Sequence, residues 1–352
     1  MLAIVCGMVP LTNNRGARLG ALLALSCLAL AAAGCGSSSP SASSGSSAGT
    51  KVSGTASIAY ASSLQYLNDH TAGPAFASST GYKYSGQGAA SGTLSSEIAG
   101  GEITPNVFES VGGDNITPLQ PKFTKWYVQY AGTSMVVAYN PKSKYAPQFK
   151  AIADGQKPLK DLFPLLETKG LKLGRTDPNV DPQGRDFIYM LELAQKAYHL
   201  PADTVTKILG GPAGSATSPE IYAESSLDST LQSGQLDAAS AFVTQAVELG
   251  LSYIPLPTTI NLGDQSLAAL YHTASVTITP AGGSPTVKNG SPQVIDITII
   301  GKATPAAIAF VKYTLSAAGL AQYKQGGFTL LTPTVTGDMG SVPAAIRSEL
   351  GS

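Results

Sequence analysis

Four short segments of this sequence carry groups suited to holding a small anion: Ser62-Ser63, Ala90-Ser91, Asp181-Pro182-Gln183 and Glu224-Ser225. Each falls where a helix is predicted to begin. The first N–H groups of a helix have no partner within it, and its dipole favours negative charge at that end. A Ser hydroxyl adds a short donor without adding charge. In combination the segments make an oxyanion site that needs no Lys or Arg. Singly, each has a plainer reading: Ser and Asp are common helix caps, and a Glu in a first turn is favoured by the dipole.

Nucleophilic chemistry has less to stand on. The histidines are His70, His199 and His272, and no two of them have metal-ligating spacing. There is no Gly-x-Ser-x-Gly turn, and Ser63 or Ser91 as a nucleophile has no evident base. The chain therefore reads as a binding protein and not as an enzyme.

The elements that must position these segments follow an α/β pattern. Val52–Tyr60 reads as a strand, followed by a helix from Ser62-Ser63 to about Asp69. Tyr82–Ser85 reads as a second strand, Gly86–Gly92 as a glycine-rich turn and Thr93–Ala99 as a helix. Val107–Ser110 is a third strand, and strand, small-residue turn and helix thus recur in order. The apolar stretch Trp126–Asn140 is one or two strands that carry the chain towards a second lobe. Two Asp-Pro pairs and a Gly in residues 174–186 force a defined turn before a helix over Phe187–His199. Further helices are predicted over Asp161–Leu166, Ala223–Gln232 and Thr304–Tyr323, with strands at Ala239–Val243 and Val294–Ile300.

Composition excludes several classes. The chain has 352 residues, 22 Lys+Arg against 22 Asp+Glu, 43% hydrophobic residues and 3 Cys. That is too apolar for a disordered chain, lacks the basic excess of a nucleic-acid binder and is too poor in Cys for a disulfide scaffold. Arg15 and Arg18 precede an apolar run over Leu19–Ala33, which ends Ala32-Ala33-Gly34-Cys35. A positive region, an apolar core and small residues make a secretory signal. Small residues directly before Cys35 resemble the bacterial lipoprotein signal, in which the Cys is lipidated and becomes the first residue. Residues 36–49 are almost entirely Ser, Gly and Ala, a flexible tether. All the cysteines (Cys6, Cys27 and Cys35) lie at or before the cleavage point, so the exported domain is expected to have no disulfide and no Cys-ligated metal. Removing residues 1–34 takes away two Arg and no acid, which leaves a net charge of −2.

From about Val52 to about Pro333 the chain resembles the substrate-binding lipoproteins of molybdate/tungstate ABC importers. The residues that carry the resemblance are Ala61-Ser62-Ser63-Leu64, Trp126-Tyr127-Val128 with Met135–Tyr139, Ser233–Asp237, and Gly250–Pro257 followed by Ile260-Asn261-Leu262. Most specific is Asp177-Pro178-Asn179-Val180-Asp181-Pro182-Gln183-Gly184. The resemblance implies an α/β, two-lobed periplasmic-binding-protein fold of type II with the ligand in the inter-lobe cleft. It implies that Ser62, Ser63 and Ser91 meet the oxyanion through hydroxyl and backbone N–H, and that Pro182 and Gln183 line the Asp181 turn. Asp181 and Glu224 would bring carboxylates to the metal of the bound oxyanion and expand it from four ligands to six. Sulfate and phosphate cannot expand in this way. Phe242 stands where the family commonly has a Tyr facing the oxyanion, Gln183 where it often has Cys, Arg185-Asp186 where it has Tyr-Arg, and Asn106 where it has Asp.

The division expected is a signal peptide over 1–34, a Cys-anchored tether over 35–50, one lobe from 51–131 with 257–352, and a second lobe from 132–256. The expected partners are an ABC importer permease, a small inorganic oxyanion and, through a lipid on Cys35, the outer face of the cell membrane. No nucleic acid, no cofactor apart from the molybdate or tungstate ligand, and a monomer are expected. Two alternatives stay open on the residues: the same fold binding sulfate or phosphate, and a surface-anchored hydrolase or structural envelope protein.

Overall fold

The computed structural model describes residues 52–215, 220–279 and 282–350. The expected signal peptide, Cys35 and the tether lie outside the described residues. Residues 50–352 form one compact unit.

A six-stranded sheet positions the first part of the site. Its strands are β1 (Thr55–Ala61), β2 (Lys83–Ala89), β3 (Val107–Val111), β4 (Trp126–Gly132), β11 (Val294–Ile299) and β12 (Thr329–Gly337). They lie in the order β12-β4-β11-β3-β1-β2, with β1 parallel to β2 and β3 and with β11 antiparallel to β3 and β4. Every residue of β3 is buried, as expected of a strand covered on both faces. The exposed strand β12 carries Pro333 and sits at the edge, where a missing N–H costs no ladder bond.

A four-stranded sheet positions the rest. Here β5 (Met135–Tyr139) pairs antiparallel with β7 (Ala238–Phe242) and β8 (Ser252–Pro255), and β6 (Leu173–Gly174) lies parallel to β7. The helices used below are α1 (Ser91–Gly100), α2 (Pro182–Ala197), α3 (Glu224–Gln232), α4 (Val243–Glu248), α5 (Pro305–Leu315) and α6 (Ala317–Gln325). A hairpin of β9 (Ser275–Ile278) and β10 (Thr286–Asn289) packs on α2, where Ser275 N donates to Glu192 Oε2 at 2.9 Å and Lys196 Nζ to Thr273 O at 2.6 Å. The chain then returns to the six-stranded sheet at β11. Gln293 O accepts from Thr133 N at 3.1 Å, beside the crossing from β4 to β5.

Three sequence expectations change. Residues Gly86-Gln87-Gly88 are strand, not turn: they extend β2 along β1, and their small size lets the Tyr60 ring lie against the ladder. The helix expected over Thr304–Tyr323 breaks at Ser316, whose Oγ accepts from Gly319 N and starts α6 afresh. The helical run from Ser62 continues to Thr80, passing through a π turn at Asn68–Ala72.

That π turn is tied to the sheet. Asn68 Nδ2 donates to Leu64 O at 3.2 Å and to Glu109 Oε2 at 2.8 Å. Glu109, on β3 and fully buried, also accepts from the hydroxyls of Tyr130 and Tyr323. Burial pushes the Glu109 carboxyl up, and these three donors oppose the shift. Glu109→Ala would strand buried donors on three different elements. We expect it to lower stability by about 3 kcal/mol or more, read by urea unfolding; a loss below about 1 kcal/mol would show the network to be dispensable.

Candidate functional site

Asp181 is the N-cap of α2. Its backbone is extended, and its Oδ1 accepts from Gln183 N at 2.9 Å. Pro182 occupies the first helical position, where its missing N–H costs nothing. The helix predicted from Phe187 therefore begins at Pro182, within the segment read as a turn. Upstream, Asp177 Oδ1 accepts from Asn179 N and Nδ2, and Asp177 O accepts from Asp181 N at 2.9 Å. Gly184 packs against this turn; a Cβ there would lie 2.5 Å from Thr176 O. The repeated Asp-Pro segment is thus a rigid loop that presents Asp181 at a fixed place.

Gln183 reaches from α2 to the starts of two other helices. Its Nε2 donates to Glu224 Oε1 at 2.9 Å and to Gln245 Oε1 at 2.8 Å, and its Oε1 accepts from Ser240 Oγ at 2.9 Å. Gln245 in α4 donates to the same Glu224 oxygen at 2.9 Å and accepts from Phe242 N at 2.9 Å. Glu224 is the first residue of α3, is 4% exposed, and lies beside the Ser63 backbone, which opposes the upward shift of its carboxyl. One buried carboxylate therefore joins the start of α2, α4 and the end of β7, with the first helical turn after β1 packed beside it.

Of the expected residues, the structure brings together Ser63, Asp181, Gln183 and Glu224. Ser62, Ser63 and Ser91 are not caps, because the capping positions fall on Ala61 and Ala90. The Ser63 Oγ is buried with no hydrogen-bond partner in the protein, whereas the Ser91 Oγ accepts from Val111 N at 3.2 Å and keeps its proton to donate. Phe242 offers only its backbone: its ring lies in the main core. Pro182 shapes the cap from the first helical position. Sequence reading missed Gln245 and Ser240. Gln245 stands at the third position of a helix after a strand, the place from which a Gln reaches back to the capping N–H. Nothing local marks Ser240.

Beside this network lies a cavity of about 270 Å³, whose lining includes Ser62, Ser63, Glu224, Asp228, Gln245 and Glu248. Asp181, Gln183 and Ser91 do not line it. No Lys or Arg lines it either. Burial pushes the Asp181 carboxyl up to about 6, Asp228 to about 7 and Glu248 to about 8. Glu224 is also raised, by burial first and then by the neighbouring charges of Asp181 and Asp228. The site can thus meet an anion with N–H groups, hydroxyls and protonated carboxyls, or offer carboxylates to a metal centre, as pH dictates. Of the histidines, His70 lines the cavity and the His272 ring meets Asn289 Nδ2 at 2.9 Å. Among the described residues no group of His, Cys, Asp and Glu could hold a metal ion, and no helix is long and apolar enough to cross a membrane.

This α/β arrangement is the periplasmic-binding-protein type II fold. The periplasmic molybdate-binding protein of Azotobacter vinelandii superposes with a TM-score of 0.53 at 17% identity, covering 78% of this chain and 98% of that one. Residues 56–329 match the family described as bacterial extracellular solute-binding protein, and the chain belongs to that family. Its relatives include the molybdate/tungstate-binding protein WtpA of Pyrococcus abyssi, 29% identical over 244 residues, which span 64% of this chain and 68% of the relative. WtpA of Thermococcus kodakarensis is 29% identical over 246 residues, 65% of this chain and 66% of the relative.

The raised carboxyls have a consequence for stability. A group whose folded pKa lies above its unfolded value stabilises the fold below the unfolded pKa and loses that contribution as pH rises through the folded pKa. For Asp181, Asp228 and Glu248 the loss falls between about pH 4 and pH 8. The ligand-free protein is expected to melt at lower temperature at pH 8 than at pH 5, and Asp228→Asn to flatten that slope. A melting temperature that rises from pH 5 to pH 8 would contradict these shifts.

Proposed function

We propose that this protein captures molybdate or tungstate outside the cytoplasm and delivers it to an ABC permease. The observation that carries this reading is the approach of Asp181 and Glu224, two buried acids at two helix starts joined through Gln183, with the unpartnered Ser63 hydroxyl beside Glu224 in the same cavity. Two carboxylates beside an anion repel it unless they bind its central atom. Molybdenum and tungsten can accept two further ligands; sulfur in sulfate and phosphorus in phosphate cannot. The WtpA relatives, named for molybdate and tungstate, support the same ligand class, and the family supports capture of a solute outside the cytoplasm. The protein does no chemistry on its ligand in this reading.

We take the two lobes to be built on the two sheets, with the ligand between them. The first crossing is at Gly132–Ser134. We move the second from residue 257 to residues 290–293, because the β9–β10 hairpin packs on α2 and the chain rejoins the larger sheet only at β11. We take the protein to be a monomer; anchorage through a lipid on Cys35 rests on the signal and tether read in the sequence.

Calorimetric titration with molybdate, tungstate, sulfate and phosphate tests the ligand. Heat with either metal oxyanion is expected, with Asp181→Ala weakening binding at least about tenfold, or 1.4 kcal/mol. Binding of sulfate or phosphate alone would overturn the specificity, and unchanged affinity in the variant would remove Asp181 from the ligands. For the anchor, mass spectrometry of the native amino terminus is expected to find an acylated Cys35 as first residue. An unmodified Cys35, or a different first residue, would refute it.

A further inference from the structure

One contact joins α1 to the loop that carries Asp181. Gly92 N, in the first turn of α1, donates to Val180 O at 3.1 Å. First-turn N–H groups have no partner within the helix, and this one is given to a carbonyl of the facing loop. The two sides are each rigid. Ser91 is held by Val111 N on β3, while Val180 and Asp181 both hang from Asp177 O, at 3.3 and 2.9 Å. Gly92 has an ordinary helical backbone with no positive φ, so its conformation does not require glycine. The close approach does. A Cβ at position 92 would lie 2.4 Å from Val180 O, 3.2 Å from its carbonyl carbon and 3.4 Å from its Cα. Those are backbone atoms of a braced loop and have no rotamer by which to yield.

We propose that Gly92 is a positioning residue: its missing side chain lets the Asp181 loop clasp the start of α1 and so sets where the Asp181 carboxylate stands relative to Ser91. The proposal rests on the oxyanion reading for its consequence, though not for its geometry. Any side chain at 92 holds the loop off, which moves Asp181 because it directly follows Val180. The clasp joins a helix next to the larger sheet to a loop leading into α2, so it acts on the approach of the two parts of the site and not on the folding of either.

The test is Gly92→Ala in the full chain, with three measurements. Because Ala is the better helix former, the ligand-free melting temperature is expected to stay the same or rise. Amide hydrogen exchange of the ligand-free protein is expected to increase in residues 90–94 and 177–183. Molybdate affinity by calorimetry is expected to fall at least tenfold. Exchange equal to wild type in both segments, or unchanged affinity, would overturn the proposal. So would a melting temperature lower by several degrees, since the contact would then belong to the folded core. If the unaltered chain binds neither molybdate nor tungstate, the oxyanion reading fails, and the exchange comparison still decides whether the clasp exists.

Discussion

The Glu224 carboxylate is the constraint around which the site is organised. A buried carboxylate costs several kcal/mol unless its oxygens are satisfied. Here the satisfaction comes from Gln183 and Gln245, which belong to two separate helices. Each donor is held in turn: Gln183 by Ser240, and Gln245 by Phe242 N. Satisfying one acid therefore fixes the start of α3, the first turn of α2, the start of α4 and the end of β7 relative to one another. A half-made network of this kind would be worse than an apolar core.

That constraint explains how a domain sparse in charge can hold an anion. No cation lines the cavity. Attraction has to come from helix N-termini, hydroxyls and the central atom of the ligand. The acids at the site are raised by burial, so they resist ionising until something compensates them. A metal oxyanion whose centre accepts oxygen donors supplies that compensation; a saturated oxyanion does not. Selectivity in this reading comes from which anion lets the buried carboxylates ionise.

The larger sheet contributes by holding the Ser62–Leu64 turn still. Glu109 does there what Glu224 does at the site, with two Tyr hydroxyls and Asn68 as its donors. Through Asn68, which also donates to Leu64 O, the strand β3 reaches the turn that carries Ser63. Glu109 thus braces the Ser63 turn from the sheet, and the start of α3 packs against its other side.

Much of this was legible in the sequence wherever the signal is local. Asp181-Pro182 reads as a cap with Pro in first position, the β-branched and aromatic runs read as strands, and the export signal and tether proposed for residues 1–50 rest on composition alone. Ser62-Ser63, Asp181 and Glu224 were recognisable as helix-start groups because capping chemistry acts within a few residues. What only the tertiary structure decided is which of them meet. Gln183 is 41 residues from Glu224, 57 from Ser240 and 62 from Gln245, and no local periodicity specifies such pairs. The same limit hid the extension of β2 through Gly86 and Gly88, which depends on the Tyr60 ring across the ladder, and the contact of Gly92 with Val180. Local sequence chooses the ends of helices; the packing of two sheets, which satisfies buried acids, chooses which ends face each other.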